Sequence, residues 1–391
     1  MLRIRPWHFP AAVVFAAVAS ASLGAQAAPA AAPTLNFSGL LFGSYNFQQT
    51  TTPSPLARQI DNSFIIDRAY LNFRMAAGDH GSIRITTDVY QTTEGTPNAY
   101  TLRAKYAYFQ YDGDKSSDGA QLVGRVGILH NVVIDHAETF WPRYLSQSAV
   151  ERAGYFASAD AGIAGLFTLP SKMGEVYTTI TNGPGYTSRE TDRFKDYAVR
   201  LTLTPLANNK DMPLLNTFTV SAWGYKGATA SACVVAGACA TSGQVGEALD
   251  RSRAGVLVGI KDPRLVLAAE YAQRHEDGEL TPTTTRTKTE ITGHLLSAFT
   301  VVRPFAFMDA SGKSPFGIVA RYDMVTPNAT NVGFTTTTDN AYHTAIAGVF
   351  YDLNQKIQLA LDYQESLAAT ASVSAPPAQS KAYFAHFQVA F

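Results

Sequence analysis

GSIRITTDVYQ, residues 81–91, sets Ile83, Ile85 and Val89 on one face and Arg84, Thr86 and Asp88 on the other. Successive side chains of a strand point to opposite faces, so this segment offers one face to lipid and one to water. The same period of two returns in DYAVRLTLT (196–204), where Tyr197, Val199, Leu201 and Leu203 oppose Arg200. In KIQLALDYQ (356–364), Ile357, Leu359, Leu361 and Tyr363 oppose Gln358 and Asp362.

Read along the chain, about sixteen segments carry this alternation: 34–47, 62–76, 81–91, 99–111, 120–129, 161–169, 174–182, 195–206, 216–226, 252–261, 264–274, 287–302, 315–324, 340–352, 356–366 and 380–391. The connections give an independent test, because a membrane barrel has short turns on one side and longer loops on the other. If the first strand starts on the short-turn side, even-numbered connections are short. They include AGDHG, SKMG and Leu353-Asn354-Gln355, whereas QQTTTPSPLARQ, HEDGELTPTTTRT and SLAATASVSAPPAQS fall at odd positions. The expected fold is all-β, a transmembrane antiparallel barrel of about sixteen strands.

Composition agrees with one continuous β-rich unit. Of 391 residues, 16% are charged and 11% aromatic, and the formal charge is zero, so no basic surface invites nucleic acid. The start of the chain has Arg3 and Arg5, an apolar run from Ala11 to Leu23 and the small-x-small site Ala25-Gln26-Ala27. That pattern is a secretory signal peptide over residues 1–27, leaving 28–391 as a single barrel domain. Its removal takes two arginines and no acid, so the mature chain is mildly acidic. An exported chain meets an oxidising compartment, and Cys233 and Cys239, six apart among small residues, are expected to form a local disulfide. No His or further Cys lies near them, so a metal is not expected there.

The opening portion resembles the phosphate-selective porin O and P family. The likeness rests on Phe37-Ser38-Gly39, IDRAYLNFR, GSIRITTDVY, KYAYFQY, VGRVGILHN and ETFWPRY, and is best over residues 35–205. It implies a sixteen-stranded channel of the bacterial outer membrane, set in outer-membrane lipid, passing small hydrophilic or anionic solutes without a cofactor. Such channels are usually homotrimers and often prefer anions. The closing AYFAHFQVAF, ending on Phe391, is similar to the last strand of outer-membrane barrels, whose terminal aromatic the assembly machinery reads.

The longest connection, residues 130–160, stands third on the long-loop side. Long loops in compact folds are usually functional, and in porins the third loop narrows the lumen, so it is read as the constriction loop. It carries Asp135, Glu138, Glu151 and Asp160 against Arg143 and Arg152. Acids turned toward a basic wall would create the transverse field of a general porin, whereas Arg143 and Arg152 turned inward would create a basic, anion-selecting eyelet. The wall itself is expected to present Arg68, Arg74, Arg84, Arg103, Lys105, Arg125, Arg200 and Arg253 to the lumen, with Arg321 and the acids Asp88, Glu175, Glu270, Glu290, Asp323 and Asp362 on the same faces. Charge of one sign on a low-dielectric wall concentrates the opposite ion.

Aromatics near strand ends, Tyr45, Phe47, Tyr100, Tyr106, Tyr108, Phe109, Tyr111, Tyr322, Phe350, Tyr351, Tyr363 and Tyr383, are expected to form interfacial girdles. Catalytic patterns are weak. His130 and His136 with Asp135 and Glu138 fit no metal-ligand spacing, and neither G-x-S-x-G nor a Walker A motif occurs. An outer-membrane barrel enzyme, a non-selective general porin and a soluble exported sugar-binding β-protein are the alternatives to an anion-preferring channel.

Overall fold

The structure, a computed structural model, describes residues 34–53, 56–91, 100–209, 211–230, 233–235, 238–239, 248–280, 287–309, 311–328, 341–368 and 379–391. The expected signal peptide, residues 1–27, lies outside them. Leu35 to Phe391 forms one unit.

In chain order its strands are β1 (Leu35–Pro53), β2 (Leu56–Ala76), β3 (Gly81–Gln91), β4 (Tyr100–Asp112), β5 (Gln121–His130), β6 (Ala159–Thr168), β7 (Gly174–Thr181), β8 (Asp196–Leu203) and β9 (Thr219–Ala230). Then follow β10 (Cys233–Val235), β11 (Ala238–Cys239), β12 (Ala248–Asp262), β13 (Leu265–Leu280), β14 (Thr287–Val302), β15 (Phe316–Thr326), β16 (Tyr342–Asp352), β17 (Ile357–Ala368) and β18 (Gln379–Ala390). All but β10 and β11 form one closed antiparallel barrel of sixteen strands, each paired with its neighbour along the chain and β18 paired with β1. No helix among the described residues is long and apolar enough to cross a membrane.

Alternation dictates the two surfaces. On β8, Tyr197, Val199, Leu201 and Leu203 are exposed outside while Arg200 and Thr202 are buried inside. On β17, Leu359 and Leu361 face out, and Ala360, Asp362 and Gln364 face in. Inverting this pattern would place charge in lipid, at a cost of about 2–4 kcal/mol per Arg or Lys at the bilayer midplane.

In the barrel ladders of the described residues, two bulges break the phase. Between β1 and β2, Phe42 pairs with Arg68 and Gly43 with Ile66, leaving Asp67 as the extra residue. Between β3 and β4, Thr86 pairs with Tyr106 and Thr87 with Ala104, leaving Lys105 extra. A bulge puts consecutive residues on one side. Lys105 and Tyr106 are therefore both buried, and Tyr108 follows them inward. The expected girdle positions of Tyr106 and Tyr108 are thus corrected, as is that of Phe350, which faces the interior because its neighbour Tyr351 faces out. Tyr45, Phe47, Tyr100, Phe109, Tyr111, Tyr322, Tyr351 and Tyr383 do lie exposed on the outside, while Tyr363 is half-buried.

The connections also differ in part. QQTTTPSPLARQ and HEDGELTPTTTRT are mostly strand, extending the β1–β2 and β13–β14 hairpins. At roughly 3.3 Å per residue, β1 and β2 each run about 60–70 Å, well beyond an apolar band of about 25 Å. On the short-turn side, 204–218 and 303–315 are longer than the rule requires. Cys233 and Cys239 pair across the backbone of the small β10–β11 hairpin; their side chains, and so the expected disulfide, lie outside the described residues.

The seam is closed at its end by Phe391. Gly39 N–H donates to the Phe391 carbonyl at 2.8 Å and Phe391 N–H to the Gly39 carbonyl at 3.0 Å. The Phe391 ring covers Gly39 so closely that a Cβ there would stand 2.0 Å from a ring carbon. Gly39→Val is therefore expected to expel the ring and lower the temperature at which the folded band converts on gels, by an overpacking cost of about 1–3 kcal/mol. An unshifted conversion temperature would show that the ring is not part of the closure.

Candidate functional site

Residues 131–158, between β5 and β6, fold into the lumen. Asn131 starts the turn: its Oδ1 accepts from the backbone N–H groups of Val133 (2.9 Å) and Ile134 (3.2 Å), satisfying donors at the start of α1 (Ile134–Ala137). A second short helix, α2 (Ala149–Arg152), begins the return. The segment is held inside because it is apolar where it meets the wall. Ala137, Phe140, Trp141, Tyr144 and Leu145 join Leu257, Phe299, Val319, Ile346 and Phe350 in one buried cluster. Val132, Ile134, Val150, Tyr155 and Phe156 join Tyr177, Trp223, Ala272, Leu295 and Val325 in another. The loop therefore packs mainly on wall strands β7 to β17.

Polar contacts pin the same side. Arg200 donates to the Val132 carbonyl and pairs with Glu175. Arg321, paired with Asp323 at 2.6 Å, donates to the Gln147 carbonyl at 2.6 Å. His136 Nε2 lies 2.7 Å from Ser221 Oγ. Burial pushes its imidazole down to about 3, with Arg200 and Lys261 acting in the same direction, so it is neutral.

The loop charges follow neither expected arrangement as a set. Arg143 pairs with Glu138 and grips Glu151 with both guanidinium arms at 2.6 and 2.9 Å, so its charge is held within the loop and the trio keeps one net negative charge. Arg152 reaches Gln364 (3.3 Å) and Ser366 (3.2 Å) on β17 rather than the eyelet. Asp160 lies at the start of β6 and accepts from the Ala161 and Gly183 N–H groups. Asp135 alone behaves as the transverse-field arrangement requires. Its side chain is 48% exposed, 4.0 Å from His130 Nε2, and the guanidiniums of Arg200, Arg125 and Arg84 act on it. The surrounding protein raises its carboxyl above the usual range while those arginines oppose the rise; at that exposure lumen water screens much of both effects.

Opposite Asp135 stands the basic wall of β2 to β5. Arg68 (2.9 Å) and Arg103 (3.3 Å) share one carboxylate, the fully buried Asp88, which leaves that trio net positive. Arg103 also stacks on Tyr90 at 3.7 Å and donates to the Tyr186 hydroxyl at 2.8 Å. Arg84 bonds neutral partners, Thr86, Asn72 and His130, and lies over Tyr106. Arg125 bonds Gln110 and Tyr177 and lies between Tyr108 and Tyr177. Neither forms an ion pair among the described residues.

Two expected wall residues are occupied differently. Arg200 is buried and committed to Glu175 and the loop, and Arg253 is paired with Glu276 at 2.5 Å. Lys105 is inward but buried, donating to the Tyr70 hydroxyl at 2.8 Å. Arg74 is exposed near the end of β2. The tyrosines that support the guanidiniums, Tyr90, Tyr106, Tyr108, Tyr177 and Tyr186, escape a sequence reading. Tyr106 and Tyr108 gave a signal only through the bulge, and Tyr186 comes from the 182–195 connection.

The closed barrel, apolar outside and polar within, defines a membrane-spanning β-barrel of the outer-membrane class. No family model matches the sequence and no curated protein matches it. Among solved structures it is similar to the outer membrane channel DcaP of Acinetobacter baumannii, at 12% identity over 92% of this chain and 97% of that one, with a TM-score of 0.61. It is also similar to an anion-selective porin from Comamonas acidovorans (10% identity, 92% and 100% covered, TM-score 0.57). A third likeness is to OmpT of Vibrio cholerae in its trimer form (13% identity, 92% and 100% covered, TM-score 0.54). These likenesses carry the fold of a bacterial outer-membrane barrel.

Proposed function

We propose that the protein is an outer-membrane porin, a passive channel for small hydrophilic solutes with a preference for anions, assembled as a homotrimer. The observation that carries the preference is the wall itself: Arg84 and Arg125 have neutral partners, and Arg68 and Arg103 have one carboxylate between them. Guanidiniums held by stacking and side-chain hydrogen bonds offer repeated, weak, charge-assisted contacts to a passing anion. Conduction requires weakness of that kind, because a tight site would block. The resemblance to phosphate-selective porins and the likeness to an anion-selective porin favour the same reading. Asp135 facing the arginines favours a second, general-porin character at the eyelet.

Single-channel steps in planar bilayers from a heat-modifiable protein, with a reversal potential of anionic sign under a KCl gradient, are the expected result. A protein recovered in the soluble fraction and silent in bilayers would end the channel reading; a reversal potential near zero would end the anion preference alone.

Asp135 adds a pH dependence. As pH falls through its raised carboxyl range, the loop's lumen-facing negative charge is lost while the arginines stay charged, so anion preference rises toward acid pH. Asp135→Asn is expected to show the acid-form selectivity at neutral pH and to flatten the profile. An unchanged profile in that variant assigns the titration elsewhere.

A further inference from the structure

One uncharged side chain of the wall meets the constriction loop at two separate points. Gln364 on β17 is buried. Its Nε2 donates to the Leu145 carbonyl at 3.0 Å and to Asp362 Oδ1 at 3.0 Å, and its Oε1 lies 3.3 Å from the donating Nη1 of Arg152. Leu145 belongs to the limb that enters the lumen after α1, and Arg152 ends α2 on the limb that leaves. One primary amide thus holds both limbs.

The residue type matters. An amide presents two donors and an acceptor with no net charge; a carboxylate lacks the donors and an ammonium lacks the acceptor. Asp362 orients the amide by taking its second N–H, and the Nε2 of His386 lies 2.7 Å from its other oxygen, Oδ2. Ser366 takes the other guanidinium arm of Arg152 at 3.2 Å. The anchors elsewhere act differently: Arg200 and Arg321 each hold the loop by a backbone carbonyl, at Val132 and Gln147.

We propose that Gln364 is the positioning residue that clamps the two limbs of the constriction loop together against β17 and thereby fixes the width left open on the basic side. The proposal rests on the channel reading above. Arg200 and the apolar clusters stay in place without Gln364, and Arg321 still holds the Gln147 carbonyl, so its loss loosens the 145–152 segment at its two ends, Leu145 and Arg152, and leaves the rest of the loop seated.

The test uses the full-length protein with Gln364→Leu, which removes donors and acceptor, and Gln364→Glu, which keeps an acceptor for Arg152 and loses the bond to Leu145. Two readouts are taken: single-channel current in planar bilayers, and amide hydrogen exchange of residues 145–152 in detergent. Gln364→Leu is expected to visit a larger-conductance substate, and to exchange amides in that segment, roughly tenfold more than the parent, the effect of losing about 1.4 kcal/mol of buried hydrogen bonding. Gln364→Glu falls between, and the reversal potential of Gln364→Leu is unchanged because the wall charges are untouched. Parental substate occupancy together with parental exchange in Gln364→Leu overturns the clamp. If the parent itself makes no current steps, the channel reading fails, and the exchange comparison still decides whether Gln364 holds the loop. Should Gln364→Leu fail to give a heat-modifiable barrel, the same exchange comparison on Gln364→Glu decides it: faster exchange at 145–152 supports the clamp and parental exchange removes it.

Discussion

Changing Arg84 and Arg125 together to glutamate is expected to invert the sign of the reversal potential under a KCl gradient. Both side chains stand on the wall facing Asp135, and neither has a carboxylate partner that would be left unpaired by the change. The substitution alters the lumen by four charge units. At ~6 Å in a water-like lumen each unit contributes about 0.7 kcal/mol to a monovalent ion, so the total approaches about 3 kcal/mol before salt screening reduces it. That is close to two orders of magnitude in relative permeability, enough to reverse a modest preference. The pair is a sharper test than Arg103 with Lys105, because Lys105 is buried against Tyr70 and Arg103 already shares Asp88. A reversal potential that keeps its sign in the double variant would move the selectivity elsewhere in the lumen.

The second large effect is expected from Trp141→Ala. Trp141 is 1% exposed, lies edge-on to Phe299 at 5.5 Å between ring centres, donates its indole N–H to the Ser146 carbonyl at 3.1 Å, and has Arg321 over its ring at 5.1 Å. Removing a buried aromatic of this size costs about 3–5 kcal/mol. The cost falls on the contact between loop and wall, since the strand ladders do not involve this side chain. The barrel is therefore expected to remain heat-modifiable while single-channel conductance rises and current noise increases. Unchanged conductance would mean that the loop keeps its place without this anchor.

Much of the architecture could be read from side-chain alternation, because a strand between lipid and water must obey it residue by residue. DYAVRLTLT and KIQLALDYQ have the outward and inward faces their sequence implies. The bulges at Asp67 and Lys105 were not legible: an extra residue in a strand has the same composition as its neighbours, and only the partner strand reveals it. That single slip explains why Tyr106 and Tyr108, apparently girdle residues, line the interior and support Arg84 and Arg125.

The site was legible in its charges and not in its pairings. Formal charge marks a residue as polar-facing, but Arg200 and Arg253 turn out to be committed to Glu175 and Glu276, partners 25 and 23 positions away. Arg143 likewise turns to two acids of its own loop, Glu138 and Glu151. Gln364 carried no signal, since an uncharged amide on a strand looks like any lumen-facing polar residue until the loop is seen resting on it. Thr- and Pro-rich connections read as loops because their composition suits turns, yet in the β1–β2 and β13–β14 hairpins cross-strand pairing extends through most of them.

The seam between β1 and β18 has a further consequence for how the molecule is made. It joins Leu40 to Ala390 and Thr51 to Gln379, whereas every other strand meets a partner much nearer along the chain. Entropy of chain closure must be overcome before such distant pairings are rewarded, so contacts of this separation form late and slowly. Until β18 docks, the growing sheet has two open edges, each able to recruit another chain. The last ladder, together with Phe391 over Gly39, is thus the step that separates a closed barrel from an aggregating intermediate, and the yield of folding should depend on this seam more than on any other pair of strands.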